Sequence, residues 1–263
     1  MSCLLDSTGI KVIQNLQPSL WYNSEYINGL DNPNPTFNSE IPELFNIVDT
    51  NAGKATNVGC YQDNIKTIPS THPIFKENGV NGKPYIHFNG NGNFLYIPGT
   101  EVTKLWVNDV SVFWFFTNPF STNNYQYSIS FGFTGNLPGQ SMINTNGSFV
   151  SYPNTGTNTE IINFANPTRL SSREIIFGGI TKKVGVEMLQ YNTLLQPNYI
   201  HQKLTMNTPT IAKYDISLGG RFNNFWNDNK AGIKLYELII FPKALNHTEA
   251  INVLTYLKMK YNQ

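Results

Sequence analysis

Charge is scarce in this chain. Only 13% of its 263 residues are Asp, Glu, Lys or Arg, about half the ~25% usual for globular domains, and 18 basic against 17 acidic residues leave a net charge of +1. With no basic tract there is no counterion-release footprint, so no nucleic-acid partner is expected. The same balance gives no attraction to an anionic membrane surface. Long apolar runs are missing too: nothing approaches the ~18 consecutive apolar residues of a spanning helix. The opening MSCLLDSTGIKVIQNL lacks the cationic start and apolar core of a secretory leader. Cysteine is limited to Cys3 and Cys60, with no Cys-x-x-Cys spacing. They read as free thiols, a Cys3–Cys60 bridge being the alternative.

Catalytic patterns are equally scarce. Glycoside hydrolysis on a strand needs two carboxyl groups on one face, in a run such as Glu-x-Asp-x-x-Glu, and the sequence has none. Glu40 and Glu43 flank Pro42 in a loop-like segment and read as a solvated pair. His72, His87, His201 and His247 are scattered, without zinc-site spacing. His87, inside a strand-like run, reads as a satisfied sandwich histidine. Gly90-Asn91-Gly92-Asn93 lacks the strand–turn–helix setting of a phosphate loop. No catalytic residue, no metal site and no cofactor is therefore expected, and the chain is not expected to be an enzyme.

What is abundant is amide and strand former. Asn occurs about three dozen times, several times its ordinary share. Val110 to Thr117 is an unbroken β-branched and aromatic run, the pattern of a central strand covered on both faces. Tyr85–Phe88 and Phe94–Ile97 flank Asn89-Gly90-Asn91-Gly92-Asn93 and predict a hairpin with a five-residue loop. Further strands are predicted at 127–133, 148–152, 173–180, 185–191, 213–218 and 234–241. Residues 28 to 78, rich in Asn and Pro, predict long loops. Near the end, Asn246-His247-Thr248-Glu249 predicts a capped helix start. Ile251, Leu254, Tyr256, Leu257 and Tyr261 supply its apolar stripe, and Lys258 and Lys260 suit its carbonyl end. Short strands with little helix between them argue an all-β sandwich or jelly roll.

Three segments carry a family resemblance: Leu20-Trp21-Tyr22, then Val80-Asn81-Gly82-Lys83-Pro84 leading to Phe88-Asn89-Gly90, and Ile216-Ser217-Leu218-Gly219-Gly220-Arg221 with Ile233 to Leu245 and the closing helix. Together they resemble the concanavalin A-like, laminin-G-like jelly roll found in bacterial surface proteins and in phage head, fibre and tail proteins. The resemblance implies two curved antiparallel sheets with a helix packed after the last strand. It spans residues 18–263 as a single domain, preceded by an arm at 1–17 whose Ile10, Val12, Ile13 and Leu16 suit docking on a partner. The family hosts lectins, hydrolases and scaffolds, so fold does not settle function.

One connection concentrates recognition chemistry. Arg221, Phe222, Asn223, Phe225, Trp226 and Asp228 bring aromatic rings among amides and an acid, as a sugar with an apolar face and a hydroxyl rim requires. The alternative is a contact with the sheet edge or a neighbouring subunit. Asp228 between Asn227 and Asn229 also offers oxygen ligands of the kind calcium takes, without EF-hand spacing. Low charge, free thiols and the missing leader favour a virion structural protein assembled in a host cytoplasm, with other virion proteins or itself as partner. The alternative is a glycan-binding adhesin or carbohydrate-binding module at a cell surface or outside the cell.

Overall fold

A computed structural model describes residues 2–56, 72–90, 93–97, 109–117, 127–131, 141–144, 149–151, 175–183, 187–192, 200–204, 216–220 and 232–262. In chain order the elements are α1 (Ser2–Asn15), β1 (Leu20–Asn23), β2 (Glu43–Leu44), β3 (Ala55–Thr56), β4 (Ile74–Lys76), β5 (Tyr85–Asn89), β6 (Leu95–Ile97), β7 (Val110–Thr117) and β8 (Tyr127–Phe131). Then come β9 (Ser141–Asn144), β10 (Phe149–Ser151), β11 (Ile175–Lys183), β12 (Glu187–Asn192), β13 (Ile200–Leu204), β14 (Ile216–Leu218), β15 (Gly232–Phe241) and α2 (His247–Tyr261). The strands form two antiparallel sheets. The first runs β13-β12-β11-β7-β15-β5-β4, with β1 also paired to β15; the second runs β10-β9-β8-β14-β6-β3-β2. This is the two-sheet jelly roll with a C-terminal helix that the sequence predicts. Among the described residues no helix is long and apolar enough to cross a membrane.

The uninterrupted apolar run of β7 has its explanation in a three-layer section. Val110, Val112, Trp114 and Phe116 face the second sheet and share one core with Leu95, Ile97, Ile129, Ile216 and Leu218. Phe113 and Phe115 face the other way, into a second core with Trp21, Tyr236, Ile239 and Phe241 of the sheet and Val253, Leu257 and Tyr261 of α2. A strand covered by a sheet on one side and a helix on the other has no polar positions to spare.

The capped helix forms as its sequence indicates. Asn246 accepts from Glu249 N at 3.0 Å and Glu249 Oε2 accepts from Asn246 N at 2.9 Å, a complete capping box. Asn262 closes the other end in a left-handed conformation. Most of the segment expected as an arm is α1. Its Ile13 is buried against the α2 core, with Ile10 and Leu16 partly buried beside it. The helices meet at Gly9, where a Cβ would come within 2.7 Å of Tyr256 Cδ2.

One expectation is overturned. Asn89 to Asn93 does not close a hairpin, because β5 pairs within the first sheet and β6 within the second. The connection is an arch that carries the chain across the core, with Gly90 at φ 77° and Asn93 Oδ1 accepting from Asn89 N at 2.9 Å. Local Asn-Gly chemistry specifies a sharp reversal. It does not specify whether the strands that follow pair with each other. Residues 28 to 78 hold three short strands, β2, β3 and β4, among the predicted loops. The Cys3 side chain and Cys60 lie outside the described parts.

A bulge in β15 creates an ionic cluster under α2. Leu235 pairs with Phe116 and Glu237 with Phe115, so Tyr236 and Glu237 together oppose one partner residue and both point toward the helix. Glu237 is fully buried. Its Oε1 accepts from Trp21 Nε1 at 2.7 Å and Tyr256 OH at 2.9 Å, and its Oε2 from Lys260 Nζ at 3.0 Å and Tyr261 OH at 2.9 Å. Lys260 also lies 3.0 Å from Glu25, which pairs with Lys83 at 2.7 Å.

Burial drives the Glu25 carboxyl upward, but Lys260 and Lys83 outweigh it and hold it below the usual carboxylate range. Burial opposes the Lys260 charge, yet Glu237 and Glu25 leave the ammonium above its usual value, and burial raises the Tyr261 phenol. The depressed Glu25 contributes stability that is present above about pH 4.5 and lost as pH falls through its folded value. The raised Lys260 and Tyr261 contribute stability that is present below about pH 10 and lost as pH rises beyond it. Urea midpoints are therefore expected to form a plateau between these limits. A Lys260→Met variant should lose the Lys260 part of the alkaline decline; an unchanged profile would contradict the assignment.

Candidate functional site

Strand polarity gathers connections at one end of the sandwich. The register places Asn89, Leu95, Thr117, Leu218 and Gly232 at this end, because Gly232 pairs with Asn89, Lys234 with Thr117, and Leu218 with both Leu95 and Ile129. The connections β5–β6, β7–β8 and β14–β15 therefore start and finish here, as does β12–β13, since Asn192 pairs with Gly178 near the start of β11. Arg221, Phe222, Asn223, Phe225, Trp226 and Asp228 all belong to β14–β15 and lie outside the described residues.

The departure point of that connection is firmly held. Ser217 Oγ donates to Gly220 O at 2.7 Å and Gly219 N to Ser128 O at 2.8 Å. Gly219 has φ +84°, and a Cβ there would overlap the Phe88 ring. Glycine is required on both counts, and it sends the chain over the edge of the inner core. Three buried polar groups at the same end, Asn93 Nδ2, Thr117 Oγ1 and Ser128 Oγ, find no hydrogen-bond partner among the described residues. Such groups are rare in folded proteins and call for a specific explanation.

Where the connection rejoins the first sheet, the outer face carries polar and aromatic side chains. Along β5, Tyr85, His87 and Asn89 alternate outward while Ile86 and Phe88 are buried. Lys234 pairs with His87 on one side and Thr117 on the other. Lys76 pairs with Tyr85 from β4. Lys234 Nζ sits 5.4 Å from the Tyr85 ring centre, within cation–π range, and the Tyr85 and His87 rings meet edge to face at 6.3 Å. Tyr85 in turn packs on Tyr236, with ring centres 5.7 Å apart, which fixes the platform to the core. Partial burial first, then the Lys234 and Lys76 charges, hold the His87 pKa below its usual range. Lys76 donates to Asn38 Oδ1 at 2.7 Å.

Sequence reasoning passed over this strip. His87 is half-buried on the outer face and its ring makes no hydrogen bond among the described residues, so it is not the satisfied sandwich histidine expected. The available signal was the alternation of Tyr85, His87 and Asn89, three polar-capable residues two apart, with Lys234 interrupting an otherwise apolar strand. The Glu237 cluster is a different case, for its donors and acceptors are spent on holding α2. Glu40, at the far edge beside Ile74, faces His72 at 3.0 Å, and Glu43 pairs with Lys54 at 2.7 Å. Among the described residues, no three His, Cys, Asp or Glu side chains are arranged to hold a metal ion.

No protein-family model and no curated protein matches the chain. Its fold does match solved structures. The botulinum neurotoxin serotype D binding domain superposes with a TM-score of 0.54 at 12% identity, over 94% of this chain and 53% of that one. The serotype D ligand-binding domain in complex with N-acetylneuraminic acid gives 0.53 at 13% identity, over 95% of this chain and 52% of that one. Trypanosoma rangeli sialidase in complex with sialic acid gives 0.50 at 12% identity, over 92% of this chain but 33% of that one. The chain thus spans about half the toxin domains and a third of the sialidase. What it shares with them is the architecture: a lectin-like β-sandwich.

Proposed function

We propose that this chain is a carbohydrate-binding module, without a catalytic role, whose ligand is held at the end of the sandwich bearing the β14–β15 connection. The observation carrying this reading is the outer-face strip of Tyr85, His87 and Lys234 beside the point where that connection enters β15. An aromatic platform flanked by donors suits the mixed apolar and hydroxyl surface of a sugar. The same end bears the buried polar groups that have no partner among the described residues. The fold likeness to domains solved with N-acetylneuraminic acid and sialic acid favours this reading over assembly into a virion. The structures compared above are binding domains and a sialidase, not virion proteins. A carbohydrate-binding module would act at a cell surface or outside the cell.

The test is a glycan array followed by calorimetry on the strongest hit, with the protein's mass measured in solution. Trp226→Ala is expected to weaken that binding by about tenfold or more, since losing a buried aromatic contact is worth roughly 1.5–3 kcal/mol. A stable homo-oligomer with no array hit would instead favour the virion reading, in which the chain acts through protein contacts.

A further inference from the structure

We propose that the ligand is an anionic glycan, with a sugar ring stacked on Tyr85 and its acidic group held by Lys234 and His87. This rests on the carbohydrate-binding reading and specifies the substrate class of the same site.

The strip sets two lysines beside a histidine. Lys76, His87 and Lys234 are brought together from β4, β5 and β15 by strand pairing. Among the described residues the Lys234 ammonium makes no ion pair, and it lies over the Tyr85 ring at 5.4 Å. Of the carboxylates along that edge, Glu40 faces His72, and Glu77 follows Lys76 at the end of β4. An ammonium that has an aromatic ring but no carboxylate for company lacks its strongest available partner. Lys76 and Lys234 are also the charges that perturb His87, with no acid acting on it. Next to Lys234, the buried Thr117 hydroxyl has no partner among the described residues.

The occupant follows from complementarity. A neutral sugar would use the Tyr85 ring but leave the Lys234 charge unmatched. A ring bearing a carboxylate or sulfate uses both: its C–H face lies on Tyr85, and its acid accepts from Lys234 Nζ and a His87 ring nitrogen. Carboxylated and sulfated sugars share this chemistry.

The experiment uses the full chain on an array holding neutral, carboxylated and sulfated glycans, followed by titration of the best hit at low and high salt. Hits are expected among the anionic glycans, with affinity falling as salt rises. Lys234→Gln should weaken binding by about tenfold or more, as expected for loss of a charge-assisted hydrogen bond. Tyr85→Ala should weaken it while Tyr85→Phe retains it. Thermal melts of each variant check folding, and Lys234, partly exposed, should melt like the parent. The ratio of carboxylated to sulfated hits identifies the acid. Hits confined to neutral glycans would overturn this inference and leave the module reading standing. Anionic hits that Lys234→Gln leaves unchanged would also overturn it. No hit of any class would overturn both.

Discussion

Glu237→Ala is expected to cost the domain about 3–5 kcal/mol, the range for removing one partner of a buried, hydrogen-bonded ion pair. That is a large share of the roughly 5–15 kcal/mol that holds a typical domain together. Four donors converge on this carboxylate: Trp21 from β1, and Tyr256, Lys260 and Tyr261 from α2. Removing it takes the carboxylate acceptor from Trp21 Nε1 and from two buried phenols, and takes from Lys260 one of its two carboxylate partners, leaving Glu25. Lys260→Met should cost less, because the Glu237 carboxylate would keep three neutral donors. Urea unfolding of both single variants and the double variant would measure the coupling. The double variant is expected to be more stable than the sum of the two losses implies. A loss below about 1 kcal/mol for Glu237→Ala would mean that the helix is held by apolar contact alone.

Phe115→Ala is expected to cost about 3–5 kcal/mol, the range for truncating a fully buried Phe. Phe115 is 0% exposed. Its ring stacks on Tyr261 at 4.0 Å between centres and meets Tyr236 edge-on at 5.5 Å. The alanine would open a cavity under the last turn of α2, and the rings around it cannot all collapse inward without disturbing the Glu237 hydrogen bonds. The loss should therefore couple to that of Glu237→Ala, since the two sites share Tyr261. Phe115→Leu, which keeps more of the volume, should recover part of the loss. Equal stabilities for the alanine and leucine variants would contradict a packed seam.

Much of the candidate site was beyond local reading for one reason: β4 and β5 are close in sequence, but Lys234 comes from β15, far along the chain. His87 and Lys234 are 147 positions apart and become neighbours only through the β5–β15 register. Alternation could have shown that Tyr85 and His87 share a face. It could not show that a lysine from β15 joins them. The aromatic connection at 221–229 was legible as composition, and strand polarity adds that it starts and ends at the same end of the sandwich as that strip.

The sequence by itself determined most of the longer strands, β5 to β8, β10 to β12, β14 and β15, and the capped helix α2, but not α1, β9, β13 or the short strands β2 to β4. Those choices rest on chemistry within a few residues: β-branched and aromatic runs, Asn–Gly reversals, and Asn246 three positions before Glu249. It also determined that β7 is covered on both faces, since a strand with no polar side would otherwise meet water. Tertiary structure decided the rest. It sends β5 and β6 into different sheets, although their connection reads as a hairpin. It places the bulge that turns Glu237 toward α2, where strict alternation after Lys234 and Tyr236 would have faced it into the inner core. It also folds α1 back onto the protein's own α2. In each case the deciding contact joins residues distant along the chain, 216 positions for Trp21 and Glu237. Local periodicity specifies which side of a strand is apolar, but the element that covers that side is chosen by packing.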